Sequence, residues 1–409
     1  MPLPFLAGEL AIATGEIAGA IEGLLGVCAG LYQGLRPRTE HAAADVVSFS
    51  GADAVEQAAP AWRYIERADG AATPFQSLAL ARTAAAVHVA RGEQPHVVIV
   101  REAGRPVVIL AVVSGGWGGL RTLRFLGDPL IQYGDAIATP AARLHHFESA
   151  LSAVAAMPAS LAVLRKVRAD ARIAPVLARH GTVVAEQEAP YVDVEGGVVR
   201  HARDERELRR FRRRLGERGD VNFALHRGND AIGPLHEALR LKGQWLDERG
   251  LASQVIGDAG WEAVLEMLAR DHPRMLAAAS LTVGDTLAAI EVGLVHQQRW
   301  YAFLGATHPD FTRAGPGHVL MADTVAQCAT EGLAVYDLLA PAQAYKRAMA
   351  SGSVVIHDYA AALNLRGKLA LWGARQLPAA KNAVNALPAP IRRAVLKLAL
   401  KPTPNQGKK

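Results

Sequence analysis

The stretch Trp300–Lys346 constrains the fold of this chain more than any other part of the sequence. It opens with an apolar run at 300–305 and continues through a polar loop and the glycine-containing segment 314–318 into an apolar run of helical periodicity. A second short apolar run comes at 335–339. This order predicts a strand, a glycine loop, a helix and a strand, which together form a βαβ unit.

The glycine loop of this unit is a candidate phosphate site. Gly315 and Gly317 flank Pro316, and His318 comes next at the predicted start of the helix. Glycines at this place let backbone N–H groups approach a phosphate, and the helix dipole favours its charge. Pro316 has the φ that a first helical turn needs, and Arg313 can add a charge-assisted contact. Because the spacing fits neither GxGxxG nor the P-loop, we predict neither a dinucleotide fingerprint nor a Walker-type loop.

The Arg-Ala-Gly-Pro-Gly order at 313–317 resembles the pyrophosphate loop of GNAT acyltransferases. The preceding Phe-Leu-Gly at 303–305, the Tyr-Asp pair at 336–337 and the Tyr-Lys pair at 345–346 are similar to the CelD-type branch of that superfamily. Proteins of this branch resemble Fem-type transferases, which have two GNAT-like halves. The resemblance covers about residues 40–365. It implies an α+β fold with two tandem GNAT-like domains, each a mixed, mostly antiparallel sheet flanked by helices.

A short repeat supports two halves. Phe-Leu-Gly occurs at 125–127 and again at 303–305, each time at the end of the third strand of a predicted three-strand run. The first copy has Thr139-Pro140 where the second has its glycine loop. We therefore expect a degenerate first half and a second half that binds the donor.

Length and composition predict at least two domains, since the chain has 409 residues and half of them are hydrophobic. The stretch before Arg36 lacks the charged start of a signal peptide. The predicted segments, in chain order, are an apolar N-terminal extension (1–40), a degenerate GNAT-like domain (41–198), an arginine-rich linking helix (199–219), a GNAT domain with the acyl-CoA loop (220–364) and a basic C-terminal tail (365–409).

Charge and cysteine usage bear on partners and compartment. The net charge is +6, but ten Lys or Arg and no acid occur from Tyr359 onward, so the basicity belongs to the tail. A predicted helix at 390–401 has an apolar face flanked by cations, which favours reversible contact with the anionic inner membrane face or, equally, packing on the protein itself. Cys28 and Cys328 have no metal-ligand spacing, so we predict a cytoplasmic protein without a zinc site or disulfide scaffold.

The segment Arg200–Arg218 has nine arginines against four acids. Leu208, Phe211 and Leu215 form an apolar stripe at helical spacing. A basic face for an anionic substrate or nucleic acid is one interpretation. A solvated linking helix is the interpretation we favour, because the stripe indicates packing, and we expect no nucleic-acid partner.

Acyl transfer needs a base, an oxyanion donor and an acid for the leaving thiolate. Tyr345 is the candidate acid by resemblance, and a packing aromatic is the alternative. Glu291 is the candidate base, since it shares a strand face with small residues that could border a cleft. Asp337 could orient Lys346 or a substrate, or form a buried ion pair with it. His308 could be a base or a loop cap.

The resemblance implies an acyltransferase that moves an acyl group from acyl-CoA, its donor substrate, to an amine or hydroxyl without a metal. By the same resemblance, the acceptor is a sugar in exopolysaccharide, cellulose or cell-envelope biosynthesis. Two alternatives stay open. One is a Fem-type transferase that uses aminoacyl-tRNA, and the other is a catalytically idle GNAT-fold adaptor of a polysaccharide-synthase complex.

Overall fold

The computed structural model describes residues 45–68, 73–117, 119–194 and 202–375. These residues divide into two compact units. The C-terminal unit contains Gln187–Glu248 and Val255–Ile356, and the N-terminal unit contains the described residues up to Glu186, Arg249–Gln254 and those from His357 onward. The predicted extension at 1–40 and the predicted helix at 390–401 lie outside the described residues, and the predicted domain bounds stay predictions.

The elements confirm the predicted α+β class. The strands, in chain order, are β1 (Asp45–Ser50), β2 (Gln94–Glu102), β3 (Arg105–Trp117), β4 (Leu120–Phe125), β5 (Ile137–Ala138), β6 (Leu161–Arg168), β7 (Thr182–Asp193), β8 (Val221–Arg227), β9 (Leu276–Val283), β10 (Thr286–His296), β11 (Arg299–Thr307), β12 (Val335–Asp337) and β13 (Gly352–Ala362). The helices are α1 (Ala54–Ala68), α2 (Leu78–Ala90), α3 (Leu144–Ala155), α4 (Ala174–His180), α5 (Ala202–Gly216), α6 (Ile232–Glu248), α7 (Ala259–Asp271), α8 (Pro316–Thr330), α9 (Ala344–Met349) and α10 (Leu365–Arg375). Among these described helices, none combines the length and the apolar character that a membrane crossing requires.

In the N-terminal unit, β1 to β4 form an antiparallel meander, and β6 lies beside β4 and parallel to it. The turn between β2 and β3 consists of Ala103 and Gly104, both with positive φ, which matches the twist of a two-residue hairpin. Trp62 and Ile65 of α1 pack on Val97 and Ile99 of β2 in the core of this unit. One mixed sheet with helices against it therefore forms the N-terminal unit.

The C-terminal unit repeats this strand series. β8 to β11 form an antiparallel meander, β12 runs parallel to β11, and β7 pairs antiparallel with β12. The two units thus share one strand series, although each antiparallel run has four strands where three were predicted, and the second Phe-Leu-Gly lies inside β11 and not at its end. Helices α5 and α8 contribute Phe211, Leu215 and Val319 to the core beside Ala279 of β9.

One strand was missed and one was predicted wrongly. β8 was missed, although Val221, Phe223 and Leu225 alternate with other residues and Gly219-Asp220 and Gly228-Asn229 flank the strand as turn signals. The sequence at 191–194 predicts a separate edge strand, and this prediction was wrong. Residues 191–193 are the end of the long strand β7, where Tyr191 and Val192 pair with β12.

Candidate active site

The loop before α8 has the geometry expected of an anion site. We call residues 313–318 the phosphate loop. Gly315 has φ 72° and ψ 39°, a left-handed conformation that glycine adopts at little cost. Pro316 is the first residue of α8, and no side chain among the described residues caps this end. Backbone N–H groups of the first turn are therefore available to a ligand.

Phe211 of α5 determines one side of this loop. A Cβ added at Gly315 would lie 2.6 Å from Cδ1 of Phe211, so only glycine fits beneath the ring. The same ring stacks on His318 with centroids 5.1 Å apart. Burial lowers the pKa of His318, so its imidazole is neutral at pH 7. His318 therefore shapes the loop rather than supplying a positive charge.

Helix α5 also holds the segment that leads into the loop. Arg218, just after α5, donates a hydrogen bond from Nη1 to the Asp310 carbonyl at 2.8 Å, and its guanidinium lies 4.1 Å from the centre of the Phe311 ring. The apolar stripe predicted for this helix packs into the core, as the linking-helix interpretation expects. Phe211 was predicted as part of that stripe, but its contact with Gly315 joins residues 104 positions apart and has no local sequence signal.

Arg313 is exposed and has neither an ion pair nor a hydrogen bond within the described residues. A guanidinium in this state is available for a phosphate without breaking an existing contact. The ligand-binding role predicted for Arg313 stays a prediction, and its position at the loop is compatible with it.

Strands β11 and β12 diverge next to the loop. They pair at Arg299 with Val335, Trp300 with Tyr336, and Tyr301 with Asp337. Beyond Tyr301, β11 continues to Thr307 along β10, while β12 has ended at Asp337. We call the region beyond the last of these pairs, where β12 no longer pairs with β11, the C-terminal fork.

Glu291 connects the two strands just before the fork. Its Oε1 accepts a hydrogen bond from Trp300 Nε1 at 2.9 Å, and its Oε2 accepts one from Tyr336 Oη at 2.6 Å. Trp300 reaches this carboxylate by lying flat over Gly293, where a Cβ would be 2.1 Å from the indole. Glu291 is 3% exposed, so it borders neither an open cleft nor solvent.

This buried environment raises the pKa of Glu291. Burial raises its pKa to about 7, although the hydrogen bonds from Tyr336 and Trp300 and the charge of Lys346 act in the opposite direction. The carboxyl is therefore close to half-protonated at neutral pH. Since both of its oxygens accept hydrogen bonds from the two strands, its geometry is that of a clamp across the pair that precedes the fork.

Asp337 and Lys346 hold the backbone of Leu339 from both sides. The Leu339 N–H donates to Asp337 Oδ1 at 3.0 Å, and Lys346 Nζ donates to the Leu339 carbonyl at 3.0 Å. Leu339 has φ 58°, which is uncommon for a residue other than glycine and costs roughly 1–3 kcal/mol. Asp337 also accepts from Arg299 Nη1 at 3.1 Å. Asp337 and Lys346 thus hold the strained backbone turn at Leu339, beside the C-terminal fork.

Burial shifts the pKa values of Lys346 and Tyr345 in opposite directions. Burial lowers the pKa of Lys346 to about 8, with Asp337 and Glu291 opposing the shift. Burial, and then the charge of Glu291, raise the pKa of Tyr345 above its ordinary value, so this phenol keeps its proton. The Tyr345 ring lies edge-on to His318 with centroids 6.3 Å apart, which places it near the phosphate loop.

His308 caps the short 3-10 helix Pro309–Ala314, since its Nδ1 accepts a 3.3 Å hydrogen bond from the Asp310 N–H. This arrangement matches the loop-cap alternative, and the base role stays a prediction. A separate cluster in the N-terminal unit brings Glu102, His145 and His146 together. There His146 Nδ1 accepts from the Arg143 N–H at 3.0 Å, which leaves the proton of a neutral ring on Nε2 and that nitrogen unable to coordinate a metal.

A family model matches the part of the chain that contains this site. Residues 202–347 match the family described as acetyltransferase (GNAT) domain. A search of curated proteins found no match. The match at 202–347 supports an acyltransferase and covers every candidate site residue, while the CelD-type branch stays a prediction.

Two solved structures are similar to this chain over most of its length. One is the C-terminal domain of a putative lysylphosphatidylglycerol synthetase from Agrobacterium fabrum, with a TM-score of 0.51 and 14% identity over 79% of this chain and 97% of that chain. The other is FemX, with a TM-score of 0.54 and 9% identity over 77% of this chain and 97% of that chain. At these identities the similarity shows a shared fold alone.

Proposed function

We propose that the C-terminal unit transfers an acyl group from acyl-coenzyme A to an amine or hydroxyl. The observation that carries this proposal is the left-handed Gly315 at the uncapped start of α8, close to Tyr345 and to the diverging strands β11 and β12. In this arrangement the pyrophosphate binds the N–H groups of the phosphate loop and Arg313. The pantetheine arm enters the C-terminal fork and brings the thioester to Tyr345.

The chemistry then requires two proton movements. The acceptor nitrogen or oxygen bonds to the thioester carbon, the carbon–sulfur bond breaks, and the leaving thiolate takes the proton of the Tyr345 hydroxyl. Tyr345 suits this role because it is protonated at neutral pH. Lys346 suits the uptake of the acceptor's proton, because a pKa of about 8 gives a substantial neutral fraction near neutral pH.

Glu291 has a different part in this proposal. Trp300 and Tyr336 use both of its oxygens, so the carboxyl is a positioning residue that holds β11 and β12 together before the fork. Asp337 is also a positioning residue, because it holds Leu339, whose carbonyl receives the Lys346 hydrogen bond. The base role predicted for Glu291 would require displacement of one of these two partners.

A donor-binding measurement tests the proposal. Arg313→Ala should weaken coenzyme A binding by about 1–3 kcal/mol, the scale of a charge-assisted hydrogen bond. Gly317→Val should block binding, since a branched side chain would occupy the backbone approach in the first turn of α8. Calorimetry with coenzyme A reads both effects, and unchanged affinity in both variants would remove the phosphate loop from the site.

The finer assignments rest on the sequence. We infer a sugar acceptor in exopolysaccharide, cellulose or cell-envelope biosynthesis from the resemblance, a cytoplasmic location from the cysteine usage, and peripheral contact with the inner membrane face from the charge of the C-terminal tail. Native mass spectrometry tests the donor part, since acyl-coenzyme A or coenzyme A should copurify with the protein.

A second candidate is transfer from aminoacyl-tRNA. The observation that favours it is the exposed arginine face of α5 beside the phosphate loop, where Arg206 and Arg214 have no ion pair within the described residues. Such a face suits a phosphate backbone. Salt-dependent binding of tRNA, together with no binding of coenzyme A, would favour this candidate over the first.

A further inference from the structure

The helix α10 of the N-terminal unit has its small residues inside and its large apolar residues outside. Gly367 and Ala370 are buried, whereas Leu365 is 37% exposed, Leu369 36% and Trp372 57%. These three exposed residues have i, i+4, i+7 spacing and so lie on one face of the helix. We call them the apolar stripe of α10. A surface helix of a globular protein has the opposite arrangement, with its large apolar side chains against the core.

Close contacts with residues 159 and 160 determine the orientation of α10. A Cβ at Gly367 would lie 1.8 Å from the Ser160 carbonyl oxygen, so the helix backbone packs directly on this residue. Asn364 caps the helix, since its Oδ1 accepts from the Gly367 N–H at 3.0 Å and its Nδ2 donates to the Ala159 carbonyl at 3.2 Å. The helix cannot rotate to bury the stripe without breaking these contacts, and the stripe therefore points outward.

Cations flank the stripe. Arg366 and Lys368 are exposed and lie on opposite sides of it by helical geometry. Helix α10 has no acidic residue, and the chain has none after Asp358. An exposed tryptophan and two leucines between cations are the composition of a helix that lies in a lipid interface.

We propose that α10 is a docking face for an anionic lipid surface. Charge complementarity selects this occupant over the chain's own C-terminal segment. That segment, residues 376–409, contains seven Lys or Arg and no acid, so it shares the sign of the charges that flank the stripe. An anionic surface attracts both the flanking cations and this segment, and it accepts the leucines and the tryptophan below its head groups. The proposal is independent of the acyltransferase assignment.

Vesicle co-sedimentation of the full chain tests the proposal. The wild type should pellet with vesicles of equal parts phosphatidylserine and phosphatidylcholine at low salt, and only weakly with pure phosphatidylcholine. Leu369→Ser combined with Trp372→Ser should reduce partitioning onto the anionic vesicles about tenfold or more. Arg366→Gln combined with Lys368→Gln should reduce it by a smaller factor and weaken its salt dependence. All four side chains are exposed, so the variants should fold, which circular dichroism checks.

Tyr64→Ser is the matched control, because it removes an exposed aromatic ring from α1 and should leave vesicle binding unchanged. Three results would overturn the proposal: no binding of the wild type to anionic vesicles, equal binding to neutral ones, or full binding of the Leu369→Ser/Trp372→Ser variant. Loss of an oligomer in that variant, with unchanged vesicle binding, would assign the stripe to a second copy of this chain instead.

Discussion

The two units share a strand series but differ in the path of the chain beyond their parallel strand pairs. In the N-terminal unit, β4 and β6 pair at Thr122 with Leu161 and at Leu123 with Ala162, and we call the opening beyond them the N-terminal fork. The chain itself occupies this opening. The Gly134 N–H donates to the Lys166 carbonyl at 2.9 Å, and a Cβ at Gly134 would lie 2.4 Å from the Phe125 ring and 2.5 Å from the Arg165 carbonyl oxygen.

The C-terminal unit sends its chain in another direction after the corresponding strand. The His308 N–H donates to the Ala288 carbonyl at 3.0 Å, on the β10 side of β11, and the phosphate loop and α8 come next. After β4 the N-terminal chain also bonds to the meander first, through the Leu126 N–H and the Ala111 carbonyl at 3.1 Å, and it then crosses to β6. This difference supports the proposal that only the C-terminal unit accepts a donor.

Each fork has beside it a residue with positive φ whose N–H donates to an aspartate, although Lys166 lies within β6 and Leu339 lies in a turn after β12. Lys166 has φ 59° and donates its N–H to Asp358 Oδ1 at 2.7 Å, as Leu339 does with Asp337. Lys166 Nζ, however, donates to the Ile131 carbonyl at 2.7 Å and so holds the filling segment in place. In the C-terminal unit a lysine from a helix, Lys346 of α9, donates to the carbonyl of the positive-φ residue Leu339. Lys166 therefore holds the segment that fills the N-terminal fork, whereas Lys346 supports the turn beside the C-terminal fork.

The largest effect is expected from Gly315→Val. The substitution combines a left-handed φ with a steric overlap on Phe211, so the phosphate loop must change shape and coenzyme A affinity should fall about 100-fold or more. Gly332→Val is the matched control, because Gly332 has the same φ of 72° but open space around a Cβ. It should lower stability by roughly 1–2 kcal/mol and leave coenzyme A affinity unchanged in a calorimetric titration.

A smaller effect is expected when the filled fork is disturbed. Gly134→Ala places a methyl group against Phe125 and the Arg165 carbonyl, and overpacking of this kind typically costs about 1–3 kcal/mol of unfolding free energy. Urea unfolding measures the loss, and coenzyme A affinity should stay at the wild-type value. A weakened affinity in this variant would mean that the N-terminal fork takes part in donor binding.

Much of this architecture is determined by local sequence. The βαβ unit was predicted. Gly284-Asp285 between two apolar runs predicts a hairpin, and the pairing of Val283 with Thr286 confirms it. These features depend on periodicity and turn chemistry, which act over a few residues. The clamp at Glu291 could not be predicted, because it depends on an indole that lies over Gly293 and on a phenol from another strand. The hydrogen bonds of Asp337 and Lys346 with the Leu339 backbone were missed for the same reason, because they join three residues in an irregular turn.

A pH dependence of stability is expected at the clamp. The folded-state pKa of Glu291 is about 7 and its ordinary value is 4.5. The contribution of Glu291 to the free energy of unfolding is therefore fully present below pH 4.5 and is lost as the pH rises through 7. Wild type should lose stability relative to Glu291→Gln between pH 5 and pH 8, as measured by urea unfolding at both values. Parallel pH dependences in the two proteins would show that this carboxyl does not titrate in the range.

The stoichiometry of coenzyme A binding tests the difference between the two forks most directly. Calorimetric titration should give one site per chain in the wild type and in Gly134→Ala, and no measurable site in Gly315→Val. Two sites per chain, or a site that survives in Gly315→Val and disappears in Gly134→Ala, would contradict the assignment of the donor to the C-terminal fork.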